Sequence, residues 1–501
     1  MNVASIRSRT PPGTGVLVGV AIAIGALAWA GIRRDLPDGM TVGSGIGLAG
    51  IVVLGVAVLL GRPAMAVVVL LFATFLRLAL DWSLPVAVTS LCLAMLLAGT
   101  VLAVWRRQVQ MPRLGALELL MALYLACNVW SAVVPNPLPA GAPDVDGTGE
   151  FSVPRFILGA VVVPFGLFLA GRVLYRREAD VRRLLWAVVA MGGYSAWVSI
   201  MQYNGPPALV WPKYILTTEF DDRAVGVFNQ PNENGITLTI GFLVAVHLLR
   251  QRDTGRVGKI VAAAVVLASP YAVYLTHTRV VWLAFAVVVV LGALISRSAR
   301  PWFLAVILAA TLTVGLNWSN FTSTDREAGG VGETSQIEER LNGIATSVNA
   351  IEARPLLGWG VGRFPAVNTL HHEQFSQDVR WSMGFGIVSH QNELGIATEL
   401  GLTGLACWLG VVALLLRRQV IALRLLPDDG VCGRGLAVAV LLGFVMWALC
   451  GIADDLRFFD FENSLVMLLA GVVVGVVERR WAAGHAIPTE AERPVDEVAQ
   501  V

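Results

Sequence analysis

The chain has 501 residues, of which 56% are hydrophobic and only 14% charged, and its net charge is +2. Soluble domains carry about 25% charged residues, so this composition excludes an ordinary soluble domain and indicates a polytopic membrane protein. The basic residues form short clusters between apolar stretches, which is typical of topology signals and argues against a nucleic-acid partner. The five cysteines have no paired spacing, so neither a disulfide framework nor a metal site is expected.

Apolar stretches of about 20 residues, the length that crosses a bilayer as a helix, predict an all-α fold with about fourteen spans. They lie near 15–32, 41–61, 64–80, 84–105, 115–134, 154–172, 184–202, 232–249, 258–276, 280–296, 301–318, 395–416, 435–453 and 462–478. The number becomes twelve if the first two form a marginal hairpin, because Arg33 and Arg34 then lie on the wrong side. We expect the first span to be an uncleaved helix rather than a signal peptide.

The basic clusters fall on one side of a fourteen-span ladder, which the positive-inside rule makes the cytoplasm. We therefore expect a multi-pass protein of the cytoplasmic (inner) membrane with both termini inside. The predicted units are an N-terminal helical bundle (1–318), a long extracytoplasmic loop (319–394), C-terminal transmembrane helices (395–480) and a disordered cytoplasmic tail (481–501). Most polar side chains able to bind or transform a ligand lie in the long loop and at nearby span ends.

Two arginine-containing segments lie at predicted outer span ends. Arg223 precedes Gly226-Val-Phe-Asn-Gln-Pro-Asn232, a turn or broken helix start where backbone N–H groups and a guanidinium can face an anion together. The alternative is a loop followed by an ordinary Asn cap. In Thr276-His-Thr278-Arg279, the arginine should face the protein interior, water or a bound anion unless it snorkels to the headgroups.

A third segment, His390-Gln-Asn392-Glu-Leu, begins the span that carries Glu399, Gly401 and Gly404. A histidine at this boundary is predicted to be a neutral imidazole that accepts or relays a proton near pH 7, with Glu399 and Glu393 as weaker candidates. The alternatives are a hydrogen-bonded helix cap at His390 and simple helix packing at the glycines.

The order of these segments resembles the O-antigen ligase and polymerase superfamily of membrane glycosyltransferases, which includes the pilin-type protein O-oligosaccharyltransferases. A further matching stretch in the long loop is Arg354-Pro-Leu-Leu-Gly358-Trp-Gly-Val-Gly-Arg-Phe364. The resemblance covers about residues 220 to 415. It departs from the usual family pattern at Gln391, which separates His390 from Asn392, and at Thr278, where serine is common.

The resemblance implies a GT-C-like enzyme that transfers a glycan from a polyprenyl (undecaprenyl) diphosphate carrier to an acceptor hydroxyl on the outer face of the membrane. This reaction belongs to surface polysaccharide synthesis in the cell envelope, for example of lipopolysaccharide. Arg223 and Arg279 match the diphosphate-binding arginines, and His390 matches the histidine that activates or orients the acceptor. Supporting positions are Asn232, Thr278, Asn392 and Glu399.

No metal or other cofactor is expected, because guanidinium groups can neutralise the diphosphate. The acidic pairs Asp221-Asp222 and Asp454-Asp455 could still be ligands, but they are expected to be structural. A polysaccharide polymerase of the same superfamily fits the same residues. Three more distant alternatives share the many spans but match these residues less well. A secondary or bicarbonate-type transporter would place ionisable residues at the midplane, where only Arg77 and Asp81 come near, a cell-wall polymerase would carry an acidic loop motif that has no match here, and a non-catalytic scaffold would not explain the spacing of arginine, arginine and histidine on one face. The acceptor, whether a lipid core, a second carrier-linked glycan, a cell-wall polymer or a protein hydroxyl, stays open.

Overall fold

The computed structural model describes residues 61–79, 114–141, 151–220, 222–324 and 335–484, with single positions at 50, 53, 93, 96, 100, 330 and 332. Every regular element in this part of the chain is helical. The predicted all-α polytopic fold is thus confirmed. The predicted spans 15–32, 41–61 and 84–105 lie outside the described residues apart from single positions, and so does the chain after residue 484.

In chain order the helices are α1 (Pro63–Phe75), α2 (Ala116–Val133), α3 (Val153–Leu174), α4 (Glu178–Asn204), α5 (Pro231–Leu249), α6 (Arg256–Leu275), α7 (Arg279–Ile295), α8 (Arg300–Leu316), α9 (Trp318–Phe321), α10 (Ser335–Ala353), α11 (Phe364–Leu370), α12 (Asn392–Leu425), α13 (Arg434–Cys450) and α14 (Asp460–Gly484). Six of them, α2, α3, α4, α6, α12 and α14, are long and apolar enough to cross a membrane, while α1, α7, α8 and α13 are shorter apolar helices. Each predicted span within the described ranges coincides with one helix.

The bundle is organised around two helices that have almost no exposed face. Helix α5 is buried along nearly its whole length between α4, α6 and α13, and α14 packs along α3. Both helices bury polar as well as apolar residues, such as Asn234 in α5 and Glu462 in α14, and these side chains are hydrogen-bonded inside the bundle. Helix α8 is the opposite case, because Phe303 is its only buried residue and most of its other side chains are exposed.

Glycines allow the closest helix contacts. A Cβ atom at Gly192 of α4 would lie 2.7 Å from the Cα atom of Gly241 in α5, and one at Gly471 of α14 would overlap the carbonyl oxygen of Phe168 in α3. Side chains at these positions would force the backbones apart. Small residues at crossing points are the usual means by which membrane helices gain packing contacts, since lipid provides no hydrophobic driving force between them.

The stretch 319–394, predicted as a polar loop, contains two further helices, α10 and α11. Helix α10 buries a face made of small and polar residues, including Asn342, Thr346 and Ala350, and packs on α12. This face carries too little apolar surface for a hydropathy reading to find it. At the other end of the chain, α14 continues to Gly484, past the predicted start of the tail at residue 481.

Helix α12 is broken at Gly401, which has φ 69° and ψ −178°. Backbone groups around the break pair with residues 355–360 of the stretch 319–394, which we call the outer segment after its predicted location. Trp359 N donates to Thr398 O (2.9 Å), Gly360 N to Glu399 O (2.8 Å) and Leu402 N to Pro355 O (2.7 Å). Unpaired backbone groups at membrane depth would cost several kcal/mol each. The outer segment therefore completes the hydrogen bonding of a broken membrane helix.

Candidate functional site

The segments that carry Arg223 and Arg279 are hydrogen-bonded to each other. Ala224 N donates to Leu275 O at 2.8 Å, and Nδ1 of His277 lies 2.7 Å from Asp222 O. Because a carbonyl oxygen can only accept, Nδ1 carries the proton. His277 has φ 43° and is buried, so it joins the two segments inside the protein.

The two arginines differ in their surroundings. Arg223 is buried, with Nε 3.4 Å from Asp222 Oδ1 and its guanidinium carbon 5.4 Å from the centre of the Phe220 ring. Arg279 is half-buried and is the first residue of α7. A helix N-terminus carries a partial positive charge and favours anions. The joined segments thus place two guanidinium-bearing positions together at one end of the bundle.

Buried polar residues of α5 hold the Arg223 segment in place. Asn234 accepts a hydrogen bond from Ser195 Oγ (2.7 Å) and donates to Ser199 Oγ and Ala224 O (both 2.9 Å). A side chain at Gly226 would overlap Asn234, which explains the glycine there. This asparagine was not among the residues selected from the sequence.

The supporting positions Asn232 and Thr278 lie next to these segments. Asn232 is buried at the start of α5, and its Oδ1 atom has no hydrogen-bond partner within the part of the chain that the structure describes. Thr278 is the N-cap residue of α7 and donates to Thr276 O at 2.8 Å. Asn232 thus has one buried acceptor atom without a described partner, whereas Thr278 stabilises its own turn.

His390 lies between two carboxylates. Its Nε2 atom is 3.2 Å from Glu339 Oε1 of α10, and its Nδ1 atom is 3.4 Å from Asp454 Oδ1 in the loop before α14. Burial lowers the pKa of this imidazole, but the two carboxylates raise it by more, to about 9. The hydrogen bond to His390 in turn lowers the pKa of Glu339.

This geometry changes the protonation state predicted for His390. The sequence predicts a neutral base, but an imidazole with a pKa of about 9 is a cation at pH 7 with both nitrogens donating to carboxylates. Glu339 and Asp454 are distant from His390 in the chain, and only the tertiary fold brings them to it. The positive φ of 47° at His390 directs the side chain from the helix start towards both partners.

Both carboxylate oxygens of Glu399 are paired inside the protein. Its Oε2 atom lies 2.5 Å from Arg457 Nη1, and its Oε1 atom accepts a hydrogen bond from Phe364 N at 3.0 Å. Asp455 pairs with the same guanidinium, with oxygens 2.5 and 2.8 Å from its nitrogens. Glu399 is thus engaged on both oxygens and holds the broken helix to the outer segment.

Asn392 begins α12, two residues after His390. Its backbone N donates to Gly451 O (2.9 Å), and its side-chain Nδ2 donates to Glu393 Oε1 (3.0 Å). The side chain is buried, and its Oδ1 atom has no hydrogen-bond partner among the described residues. Asn392 therefore fixes the start of α12 against the end of α13, and its Oδ1 atom is a buried acceptor without a described partner.

Three residues contact this site that the sequence reasoning did not assign to it: Glu339, Arg457 and Asp454, which was expected to be structural. The sequence contained a signal for two of them, since Asp454-Asp455 and Arg457 are charged residues in a short loop between apolar spans. Glu339 carries no such signal. Over the described ranges, no group of three or more His, Cys, Asp and Glu side chains is arranged to hold a metal ion.

The fold and these contacts define a multi-pass, all-helical membrane protein with charged residues gathered at span ends. Residues 236–409 match the family model described as O-Antigen ligase. The match covers about a third of the chain and supports the resemblance to the O-antigen ligase superfamily of membrane glycosyltransferases that the motifs indicated. It contains Arg279, His390 and Glu399 and begins after Arg223 and Asn232. No curated protein matches the chain.

Proposed function

We propose that this protein transfers a glycan from a polyprenyl (undecaprenyl) diphosphate carrier to an acceptor hydroxyl on the outer face of the cytoplasmic membrane, in the synthesis of a surface polysaccharide. The observation that carries the proposal is the hydrogen-bonded junction of the Arg223 and Arg279 segments, next to and within the O-antigen ligase match. Two guanidinium groups from adjoining segments suit a ligand with two linked phosphates.

The two arginines bind and stabilise the leaving diphosphate. As the bond between the sugar C1 atom and the phosphate oxygen breaks, negative charge grows on the diphosphate, so hydrogen bonds from guanidinium groups strengthen along the reaction. Removing one such donor from an enzyme typically costs about 2.7–4 kcal/mol of transition-state stabilisation. Two arginines can thus take the place of a metal ion in neutralising the diphosphate, and the proposed reaction proceeds without one.

His390, Glu339 and Asp454, which we call the His390 cluster, act on the acceptor. The acceptor oxygen forms its bond to C1 as the diphosphate leaves, and its proton must go to a base. Glu339 takes this role because its side chain is 29% exposed, compared with 9% for Asp454. The imidazolium of His390 holds Glu339 in position, and the carboxylate later releases the proton to water. His390 thereby orients the acceptor through Glu339.

A reconstituted assay tests the proposal. The full-length protein in nanodiscs, treated with EDTA, is given the lipid-linked glycan and an acceptor-containing membrane extract, both from a strain that lacks the gene. We expect one polyprenyl diphosphate to be released for each glycan transferred. Absence of transfer with intact protein would overturn the proposal, and loss of transfer only after EDTA treatment would overturn its metal-free form.

The outer-face location has its own test. Single cysteines at Gln377 and Gly255, both exposed positions, are introduced after the native cysteines have been replaced. An impermeant thiol reagent applied to intact cells should label Gln377→Cys and leave Gly255→Cys unlabelled. The reverse pattern would put the His390 cluster on the cytoplasmic side and contradict a reaction on the outer face.

A further inference from the structure

The outer segment presents an exposed set of aromatic rings. Trp381 and Phe385 are 51% and 41% exposed, and their ring centres lie 5.0 Å apart. The ring of His372 packs edge-on against both, at 4.9 and 5.3 Å. We call these three rings the aromatic platform. Large exposed rings that already pack on one another mark a surface suited to an apolar face of a ligand.

Buried asparagines hold the aromatic platform in a fixed shape. Asn368 Nδ2 donates to Gly384 O (2.6 Å) and Ile387 O (3.1 Å), and its Oδ1 atom lies 2.8 Å from His372 Nδ1. Asn342 of α10 donates to the carbonyl oxygens of Arg380 (2.8 Å) and Met383 (3.0 Å). The rings therefore stand on a preorganised turn, so a ligand would bind them at little cost in conformational entropy.

The platform lies next to the His390 cluster. Gly384, between Trp381 and Phe385 in the chain, has φ 76°, and a Cβ atom there would lie 2.7 Å from the backbone oxygen of Glu339. The carboxylate of the same Glu339 contacts His390 Nε2. The platform is thus built on α10, α11 and the chain leading to His390, whereas the arginines belong to the segments beside α5 and α7.

We propose that the aromatic platform binds a pyranose ring of the acceptor saccharide; this inference rests on the proposed glycan transfer. A pyranose has an apolar face of C–H groups that packs on an aromatic ring and a rim of hydroxyls that needs polar partners. Such partners are exposed beside the rings, namely Glu373, Gln374, Asp378 and Arg380. The same charged rim disfavours insertion into the hydrocarbon of the bilayer. Its position beside His390, away from the arginines, assigns the platform to the acceptor rather than to the donor.

The test compares acceptor and donor kinetics. Trp381→Ala, Phe385→Ala and Trp381→Phe are assayed in nanodiscs with the lipid-linked glycan and with a titrated acceptor extract from the strain that lacks the gene. We expect both alanine variants to raise KM for the acceptor extract at least about tenfold, with KM for the donor and the thermal stability near wild type. Trp381→Phe keeps a ring and should stay within about threefold. Trp481→Ala, at an exposed tryptophan in α14, serves as the matched control.

Each other outcome contradicts the inference in its own way. An unchanged acceptor KM in both alanine variants would overturn the platform as a subsite, and an equal rise in donor KM would assign it to the donor glycan. Strong quenching of Trp381 fluorescence by brominated lipids, measured as the difference from Trp381→Phe, would make it a membrane contact. If the wild type transfers no glycan, the proposed function itself fails, and the two failures are thereby distinguished.

Discussion

Glu399 and Arg457 form a buried ion pair, with Oε2 and Nη1 2.5 Å apart and side chains only 3% and 5% exposed. The pair joins helix α12, just before its break, to the loop that precedes α14. Through Phe364 N, which donates to Glu399 Oε1, it also reaches the outer segment. Three parts of the molecule around the candidate site are therefore fastened at one point.

Glu399→Ala should strongly destabilise the protein, because it leaves Arg457 buried with Asp455 as its remaining carboxylate partner among these contacts. Breaking a buried pair by removing one partner typically costs about 3–5 kcal/mol. Thermal unfolding of the full-length protein in detergent measures the loss. Glu338→Ala is the control, since its partner Arg380 is 67% exposed and such pairs contribute about 0–1 kcal/mol. Equal stability of the two variants would contradict the role of the Glu399–Arg457 pair in holding these three parts together.

Gly401→Ala should reduce the yield of folded protein. The residue has φ 69°, and a Cβ atom there would overlap the carbonyl of Leu356. The left-handed conformation alone costs a non-glycine residue about 1–3 kcal/mol, and the overlap would push the outer segment away from α12. Fluorescence-detected gel filtration of tagged variants measures the folded fraction. Gly315→Ala in α8 meets no atom within 4 Å and should fold as well as wild type; an equally normal Gly401→Ala would contradict the close fit.

Substitution of the arginines should abolish or severely reduce glycan transfer. Lysine keeps the charge at positions 223 and 279 but loses the planar fork that binds a phosphate through two hydrogen bonds, so both the Lys and the Ala variants should fail. Transfer by the purified variants is measured beside their insertion and accumulation in the membrane. Wild-type transfer by both Lys variants would show that the arginines contribute only positive charge. Wild-type transfer by both Ala variants would show that they only contact lipid headgroups.

The pH profile of transfer reports the charge on His390. Its pKa of about 9 lies above the usual value near 6.5, so its contacts with Glu339 and Asp454 stabilise the folded protein fully below pH 6.5 and are lost as the pH rises through about 9. If the imidazolium positions Glu339, kcat should stay constant at pH values up to about 8 and decrease as the pH rises through about 9. His390→Gln should lack this fall. A rate that instead rises through pH 9 would restore the role of His390 as a general base.

The membrane helices could be predicted from the sequence because each needs about 20 apolar residues, and few other structures leave that pattern. The span predicted at 154–172, for example, lies within helix α3, Val153–Leu174. Helix α10 could not be predicted in this way. Its buried face holds Asn342, Thr346 and Ser347, so its packing depends on hydrogen bonds and small side chains rather than on apolar area.

The site could be predicted only in part. The family motifs and the topology selected Arg223, Arg279 and His390, and the structure joins the segments of the first two through His277. The partners of His390 were beyond sequence reasoning, because Glu339 and Asp454 lie far from it in the chain and in different elements. Their charges decide whether the imidazole is neutral or cationic, so its chemistry could not be inferred from local sequence.

The break in α12 also constrains how this sequence can change over time. A Cβ atom at Gly358 would lie 2.5 Å from Glu399 C and 2.6 Å from Gly401 N, while one at Gly401 would overlap Leu356 O. The two glycines thus occupy opposite sides of one narrow contact, and each has a positive φ. Neither glycine can be replaced by a larger residue unless the other side of the contact moves. The two positions should therefore remain glycine together, because a side chain at either one breaks the same contact.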